Sequence, residues 1–183
     1  MKALFIALLM MIVISYYDLS AQSVAATKSW IIDKLTRYQQ ENYGGKLSPC
    51  ECYTQNYGYS FRFKRDTLVI AFNIRVLYPQ CFSGDKEKEV KNYAKKATVK
   101  IPMSDISEVT SASSNFETKL FITTKLQTIR VMSVFADSTA QGYTNIMFLG
   151  VNFGTEDSLS ERLRDAFYHL RSFYPEKKRK EVF

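Results

Sequence analysis

The feature that most constrains this fold is a run of alternating apolar and polar residues, YSFRFKRDTLVIAFNIRVLY. Aromatic residues occupy every second position before the Arg65-Asp66 pair, and apolar residues occupy every second position from Leu68 onward. Alternation with a period of two on both sides of a short polar turn predicts a β-hairpin with one buried face. The pattern allows two registers, with Phe63 opposite either Leu68 or Ile70, because a slip of one residue would turn the two apolar faces apart.

A helix is predicted before the hairpin, and a second one near the end of the chain. The first spans Thr27–Tyr43, where apolar residues recur at helical spacing and Gly44-Gly45 follows as a stop. The second follows a capping-box pattern, Ser158 with Glu161, and ends before Pro175. Its apolar stripe consists of Leu159, Leu163, Ala166, Phe167, Leu170, Phe173 and Tyr174.

Further short strands are predicted between the helices. Alternation predicts strands at Val99–Ile101, Leu120–Ile122 and Ile129–Val131, and the apolar run Asn145–Phe153 predicts a strand covered on both faces. The charged segment Ser83–Lys96 is predicted to be an exposed loop. Six or seven strands with one helix at each end indicate an α+β fold. The predicted core is Phe61, Phe63, Ile70, Phe72, Ile74, Val99, Ile101, Ile122, Ile129, Phe148, Leu163, Phe167 and Leu170.

Two segments carry a resemblance to a known superfold. VKIPMSDISEV, Val99–Val109, resembles the I-P-x-x-D-I-x-x-V segment of bacterial pleckstrin-homology-like (PH-like) domains, and ERLRDAFYHLRSFYPEKK is similar to the capping helix of small exported bacterial proteins of that kind. The resemblance covers Tyr59–Tyr174. It implies a partly open antiparallel β-barrel with an N-terminal helix and a C-terminal capping helix. It also implies a binding scaffold, since PH-like domains mostly bind peptides, proteins or head-groups and rarely catalyse.

Basic residues in the hairpin add to this resemblance without identifying a site. Arg62, Lys64 and Arg65 resemble the basic pattern that holds phosphoinositide in eukaryotic relatives. An exported bacterial protein seldom meets such a lipid, so the resemblance carries over no functional residue.

The first residues have the pattern of a secretory signal peptide. Lys2 precedes the apolar run Ala3–Ile14, and small residues follow it. Twelve apolar residues are fewer than the roughly 20 that a membrane-spanning helix needs. We therefore predict a signal peptide at 1–21, cleaved after Ala21 with Ala25 as the alternative, a single PH-like domain at 27–175, and a basic tail at 176–183. The mature chain is expected to be exported, periplasmic or extracellular, without a membrane span.

The stretch SPCECYTQNYGYS places two of the three cysteines one residue apart. Disulfides persist in exported proteins, so a bridge to the remaining cysteine, Cys81, is the leading interpretation. Extension of the register that pairs Phe63 with Leu68 places Cys50 opposite Cys81. The register shifted by two residues places Cys52 there instead, and both pairings remain open.

No residue is predicted to be catalytic, to bind a cofactor or to bind a metal. A zinc site would need all three cysteines and the only histidine, His169, which is expected to be solvated and to pair with Asp165. The chain has no Gly-x-Ser-x-Gly motif and no glycine-rich phosphate loop. Its paired carboxylates have simpler roles in turns and helix caps, so the protein is not expected to be an enzyme.

Composition and two surface clusters favour binding. Removal of residues 1–21 takes away one cation and one anion, so the net charge of +7 is unchanged. Such a charge favours solubility and a loose attraction to anionic surfaces, and it does not select any one partner. A candidate recognition surface consists of Tyr53, Tyr57, Tyr59, Lys177, Lys178, Arg179 and Lys180. The alternatives are that the tyrosines cover the barrel end and that the basic tail is merely solvated.

The predicted function is non-catalytic binding of a protein or peptide at an exposed strand edge, or of an extracytoplasmic polymer. The partner is therefore an unknown protein, peptide or anionic polymer, and no specific nucleic acid is expected. The alternatives are a carrier of a small apolar ligand, held between the sheet and the first helix, and an enzyme of unidentified chemistry.

Overall fold

The computed structural model describes residues 24–47, 52–77, 94–113 and 118–175. Within these ranges the chain forms two helices, α1 at 24–38 and α2 at Leu159–Ser172, with nine strands between them. The strands are β1 Asn42–Leu47, β2 Cys52–Lys64, β3 Thr67–Leu77, β4 Lys96–Pro102, β5 Ile106–Ser113, β6 Thr118–Thr124, β7 Ile129–Val134, β8 Thr139–Thr144 and β9 Ile146–Gly150. Short 3-10 helices lie at Met103–Asp105 and Phe153–Thr155.

The strands form two antiparallel sheets, which confirms the predicted α+β class. One sheet has the order β1-β2-β3-β4-β7-β8, and the other has the order β5-β6-β9. The predicted barrel is not closed, since no strand ladder among the described residues joins the two sheets. At the outer edge of β5, the Val109 N–H donates to the Tyr168 hydroxyl of α2 at 3.2 Å. Helix α2 therefore lies against β5 at Val109. A helix cannot supply the next strand of the sheet, so the sheet does not continue there.

One hydrophobic core unites both sheets and both helices. From α1, Ile31 and Leu35 are fully buried in it. The predicted stripe of α2 is largely confirmed, because Leu159, Leu163, Phe167 and Leu170 are buried while Phe173 is exposed. Burial of each such side chain contributes about 1.5–3 kcal/mol, which is enough to hold α2 against the sheets.

Most of the residues predicted for the core are buried, and the exceptions follow from strand geometry. Phe61, Phe63 and Ile74 are partly buried and pack against the core. Phe148 belongs to the opposite face, where its ring lies 6.4 Å from that of Phe121. In β9 the buried residues are the neighbours of Phe148 on either side, Met147 and Leu149. The prediction that both faces of this strand are covered was therefore wrong.

The hairpin has the first of the two predicted registers near its turn. Phe63 lies opposite Leu68, and the pairing continues to Ser60 opposite Ala71. Gly58 then adopts a φ of +61° at a bulge, beyond which Tyr57 lies opposite Asn73. Beyond the bulge, the register of β2 and β3 therefore differs by one residue from the register near the turn. The prediction of the cysteine pairing had extended the register near the turn without this shift.

The predicted disulfide partners lie at or beyond the limits of the described residues. Cys50 and Cys81 fall outside these residues, so both proposed pairings stay predictions. The backbone of Cys52 lies in β2, opposite Leu47 of β1. The signal segment, the basic tail and most of the loop at Ser83–Lys96 also fall outside the described residues.

The end of α1 corrects one sequence prediction. The helix stops at residue 38, and Asn42 and the two glycines at 44 and 45 belong to strand β1 instead. The Gln40 N–H donates to the Gly150 carbonyl at 2.9 Å, so the chain leaving α1 pairs with the end of β9. Asn42 is fully buried and accepts a hydrogen bond from the Tyr59 hydroxyl. Tertiary pairing thus overrides the helical spacing of these residues.

Two further features differ from the predictions. The side chain of Ser158 makes no capping hydrogen bond, because its backbone is left-handed with φ 54°. The capping box predicted with Glu161 is therefore absent. Strand β8 was not predicted, since its sequence TAQGYT contains few apolar residues and no alternation of apolar with polar ones.

Candidate binding face on the six-stranded sheet

The outer face of the six-stranded sheet carries side chains that alternate with those of the core. Phe61, Ile70 and Val99 lie on the inner side, so the intervening residues of these strands point outward. Strand pairing aligns the outward residues into a row that crosses the sheet from β2 to β8. The row consists of Arg62, Val69, Lys100, Arg130 and Tyr143.

We call this surface the basic face, and it includes the outward residues beside the row. These are Ser60, Lys64, Thr67, Ala71, Asn73, Lys96, Thr98, Met132, Val134, Thr139 and Gln141. Neighbouring strands lie about 4.8 Å apart, so the row from Arg62 to Tyr143 is about 19 Å long. It spans a distance suited to an extended ligand rather than to a small molecule in a pocket.

The residues of the basic face include several cations and no carboxylate, and the nearest hydrogen-bonded carboxylate, that of Asp66 in the hairpin turn, accepts from Thr67 at 3.2 Å. Lys100 lies directly opposite Arg130, and like charges at directly opposite positions of neighbouring strands are destabilising. Val69 is only 4 % exposed between Arg62 and Lys100, as expected where the aliphatic stems of long cationic side chains lie over an apolar neighbour. An anionic ligand would relieve the repulsion that the fold itself leaves in place.

Neutral groups orient Arg130 without cancelling its charge. Its guanidinium donates to the amide oxygen of Gln141, and the Gln141 amide N–H donates to the Tyr143 hydroxyl at 2.8 Å. The Arg130 Nε is buried without a hydrogen-bond partner in the described structure. Because the Tyr143 oxygen accepts from Gln141, its own proton is free for an acceptor on a ligand. The resulting cluster of donors suits an oxygen-rich anion such as a carboxylate, phosphate or sulfate.

The tyrosines predicted as one recognition surface do not lie together. Tyr59 is 7 % exposed and belongs to the core, where its ring stacks on Phe61 at 6.0 Å. Tyr57 and Tyr53 lie on the side of the sheet that faces away from the core, and only Tyr53 is well exposed. Inclusion of Tyr59 in that surface was therefore wrong, because Tyr59 shares the inward parity of Phe61. The bulge at Gly58 reverses this parity, so Tyr57 and Tyr53 point to the other side.

Arg75 lies on the same outer face as Asn73, farther along β3, but its charge is neutralised. The Arg75 guanidinium lies 2.7 Å from the Glu41 carboxylate and donates from Nε to the Gln55 amide oxygen at 2.7 Å. It also lies over the Tyr57 ring at 5.0 Å from its centroid. The charge of Arg75 is thus balanced by Glu41, and the cations of the row lie farther along the sheet, on β2, β4 and β7.

A groove between α1 and α2 is the second candidate binding surface. Its volume is about 540 Å³, and its lining is mainly apolar, with the Trp30 ring and Ala166 among the lining residues. The Arg162 guanidinium lies over the Trp30 ring at 5.2 Å from its centroid. Lys34 donates to the Glu156 carboxylate at 2.6 Å, and this hydrogen bond lowers the pKa of Glu156 below its ordinary value.

The histidine and the other candidate ligands form no metal site in the described residues. No group of three or more His, Cys, Asp or Glu side chains in these ranges could hold a metal ion. His169 lines the groove between the helices, and its ring meets the ring of Phe173 edge-on at 5.0 Å. Lys177, Lys178, Arg179 and Lys180 fall outside the described residues.

Sequence reasoning missed the residues of β7 and β8 in the basic face. The alternation in IRVMSV places Arg130 and Ile129 on opposite faces of their strand, and it therefore predicts that Arg130 points to solvent. Nothing in the sequence showed that β7 lies beside β4, although β5 and β6 separate them along the chain. The row is therefore a product of strand order.

No helix within the described ranges is both long and apolar enough to span a bilayer. Comparisons with protein-family models, with curated protein sequences and with solved structures found no match to this chain. Function is therefore inferred from the residues of this chain alone.

Proposed function

We propose that this protein is a non-catalytic binding module that holds an anionic ligand on the basic face. The observation that carries the proposal is the row of Arg62, Lys100 and Arg130, which contains no carboxylate. The Glu41 carboxylate pairs with Arg75 on the same outer face, away from this row. Two of the cations in the row lie directly opposite each other, at a cost to folding stability. Sites that keep an unfavourable arrangement often do so for function, since binding groups are selected for the ligand rather than for the folded state.

The shape of the surface favours an extended ligand, either an anionic polymer or a protein segment. A row about 19 Å long can contact several successive units of such a chain, each through one charge-assisted hydrogen bond. We also propose that the protein acts outside the cytoplasm, on the basis of the charged start, the short apolar run and the small residues at the N-terminus.

We further propose membership among exported proteins with PH-like domains. The order of one helix, many antiparallel strands and a final helix supports this, as does the segment Val99–Val109, whose Ile101 and Ile106 are fully buried. The test is an experimental structure of the mature protein. A strand order in both sheets that no PH-like domain shares would contradict the assignment.

A charge-matched pair of variants tests the proposed function. The face variant carries Arg62→Gln, Lys100→Gln and Arg130→Gln. The control variant carries three substitutions away from the basic face, Arg37→Gln on α1, Lys119→Gln on β6 and Arg164→Gln on α2. Both variants lose the same net charge, so any difference in their binding reports where the charge is located.

The probes are polyglutamate and heparin, which carry carboxylates and sulfates, measured by calorimetry at low and high ionic strength. We expect the face variant to bind at least about tenfold more weakly than the control, because a hydrogen bond to a charged group contributes about 1.5–3 kcal/mol and tenfold is about 1.4 kcal/mol. Affinity for the unaltered protein should fall with added salt. Equal binding by the two variants would refute the proposal.

A single substitution separates a binding role from a structural one. We expect Lys100→Gln to weaken polyglutamate binding while it leaves the free energy of unfolding unchanged or raises it, because it removes repulsion from Arg130. A substitution that lowers both quantities would indicate that Lys100 mainly supports the fold.

The groove between the helices supports a second candidate, a carrier of a small apolar ligand. Its volume of about 540 Å³ and its mainly apolar lining fit a ligand of that kind. Quenching of the fluorescence of Trp30, the only tryptophan of the chain, by an added fatty acid would support this candidate. No change in emission on addition of the fatty acid would contradict it.

A further inference from the structure

Strand β8 is one of the two edge strands of the six-stranded sheet, and β1 is the other. Strand β8 is the last strand in the sheet order, and the described residues supply no partner on its outer side. Its register with β7 is regular from Val134 opposite Thr139 to Ile129 opposite Thr144. The Phe135 N–H donates to the Ser138 carbonyl at 2.9 Å, so the backbone of Ser138 faces β7. In an antiparallel pair this direction alternates, and every second residue after Ser138 therefore also bonds to β7 through its N–H and C=O groups. The N–H and C=O groups of Thr139, Gln141 and Tyr143 therefore face outward.

This edge lacks the features with which proteins usually block strand addition. The sequence of β8, TAQGYT, contains neither a charged residue nor a proline, and its pairing with β7 shows no bulge. All of its residues except Thr144 are exposed. An open, regular and uncharged edge is a template for an additional strand.

Each edge strand of the smaller sheet is contacted by another part of the chain near one point. Tyr168 of α2 accepts a hydrogen bond from the Val109 N–H of β5, as described above. At β9, the Gln40 N–H donates to the Gly150 carbonyl, and the Asn152 N–H donates to the Tyr38 carbonyl at 2.8 Å. Strand β8 has no such contact on its outer side among the described residues.

The charge next to β8 determines which strand fits there. On the outer face, alternate side chains of an added strand would lie beside Thr139, Gln141 and Tyr143, about 4.5–5.5 Å away. Arg130 lies one strand further in, opposite Tyr143, and a carboxylate on a long side chain can reach toward it. The outward positions of the added strand should therefore be acidic.

The inner side of β8 favours apolar residues at the alternate positions. A Cβ atom placed on Gly142 would meet no heavy atom within 4 Å, so the space beside this residue is open. Ala140 is the other small residue on this side, and Val131, which lies opposite Gly142, packs against the core. A branched apolar side chain placed beside Gly142 would extend that packing.

We propose that β8 binds, by antiparallel strand addition, an extended peptide in which acidic residues alternate with apolar residues. The backbone groups of Thr139, Gln141 and Tyr143 pair with the peptide backbone, and Arg130 with the Tyr143 hydroxyl recognises its carboxylates. This inference rests on the proposed function, because it identifies the anionic ligand of the basic face as a protein segment.

The test uses two substitutions of one residue and a synthetic peptide, Thr-Glu-Val-Glu-Val-Glu-Thr with blocked ends. Gln141→Pro and Gln141→Ala both remove the side chain, but only Gln141→Pro removes the outward N–H and disturbs pairing at the edge. We expect the peptide to bind Gln141→Pro at least about tenfold more weakly than Gln141→Ala, because the loss of about two backbone hydrogen bonds accounts for a factor of this size.

A second measurement keeps the test decisive if Gln141→Pro does not fold. The same peptide, N-methylated at the residues that would pair with β8, keeps its charge but cannot form the ladder. It should bind the unaltered protein at least about tenfold more weakly than the parent peptide. Slower amide exchange at Gln141 and Tyr143 on addition of the parent peptide would locate the added strand at this edge.

Strand addition, a simple polyanion site and a dimer through β8 predict different results in these experiments. Equal binding of both peptides would overturn strand addition but leave the basic face as a polyanion site. If neither peptide binds and polyglutamate and heparin do not bind either, the proposed function fails together with this inference. If sedimentation shows a dimer that Gln141→Pro dissociates, a second copy of the chain occupies the edge and the peptide proposal is overturned.

Discussion

Substitution of Gly150 by alanine tests the contact that joins the end of α1 to the second sheet. A Cβ atom on Gly150 would lie 2.6 Å from the Gln40 carbonyl oxygen and 3.1 Å from Cβ of Asn42. The Gln40 oxygen belongs to backbone that pairs with β9, through the Gln40 N–H to Gly150 hydrogen bond at 2.9 Å and the bridge between Gln39 and Val151. The backbone on both sides must therefore shift.

The expected loss of stability follows from two contributions. Insertion of a carbon atom into a tightly packed site costs about 1–3 kcal/mol. Loss of the Gln40 to Gly150 hydrogen bond adds about 1 kcal/mol. We therefore expect Gly150→Ala to lower the free energy of unfolding by about 3 kcal/mol. For a domain of this size, the melting temperature should fall by about 6–12 °C.

The assay is urea unfolding followed by circular dichroism, with Gly142→Ala as the matched control. Both substitutions add one methyl group to a glycine in a strand, but the Gly142 position has nothing within 4 Å. Gly142→Ala should leave the stability unchanged or raise it by about 0.5 kcal/mol, because glycine is unfavourable in strands. If the two variants are equally stable, the close approach of Gln40 to Gly150 is not present in solution and the reasoning is refuted.

Three further predictions concern the hairpin, the buried asparagine and the acid limb of stability. Gly58→Ala should cost about 1–2 kcal/mol in urea unfolding, because φ at the bulge is +61°; a smaller loss for Gly58→Asn would support this cause. Tyr59→Phe should cost about 1–3 kcal/mol, since the buried oxygen of Asn42 loses its donor; thermal unfolding unchanged from the unaltered protein would contradict it. The hydrogen bond from Lys34 lowers the pKa of Glu156, so this carboxylate stabilises the fold above its ordinary value of 4.5, and the contribution is lost as pH falls through the lowered pKa. Glu156→Gln should therefore be less stable than the unaltered protein at neutral pH and equal to it in strong acid, and a constant difference in urea midpoint across this range would contradict that sign.

The sequence by itself predicted those elements whose pattern is local. Alternation around the Arg65-Asp66 turn predicted the hairpin of β2 and β3 and two possible registers, of which the structure has the one with Phe63 opposite Leu68. The apolar stripe from Leu159 to Leu170 predicted α2 and its buried face. These predictions hold because the period of each element is written into neighbouring residues and burial of the apolar side is the main favourable contribution to folding.

Local pattern failed where one segment pairs with another that is distant in the chain. Asn42 fits the apolar face of a helix by spacing, but the pairing of Gln39 and Gln40 with β9 draws this stretch into a strand. The bulge at Gly58 changes the register by one residue, and it therefore moves Tyr57 and Tyr59 to opposite sides of the sheet.

The basic face depends on tertiary structure in the same way. Alternation alone assigned outward positions to Arg62, Lys100 and Arg130, each in its own strand. Only the strand order, with β7 inserted beside β4 and β8 at the edge, brings these charges into one row next to an open strand. The side on which a residue lies is a local property with a period of two, whereas the identity of the neighbouring strand is set by burial summed over the whole core.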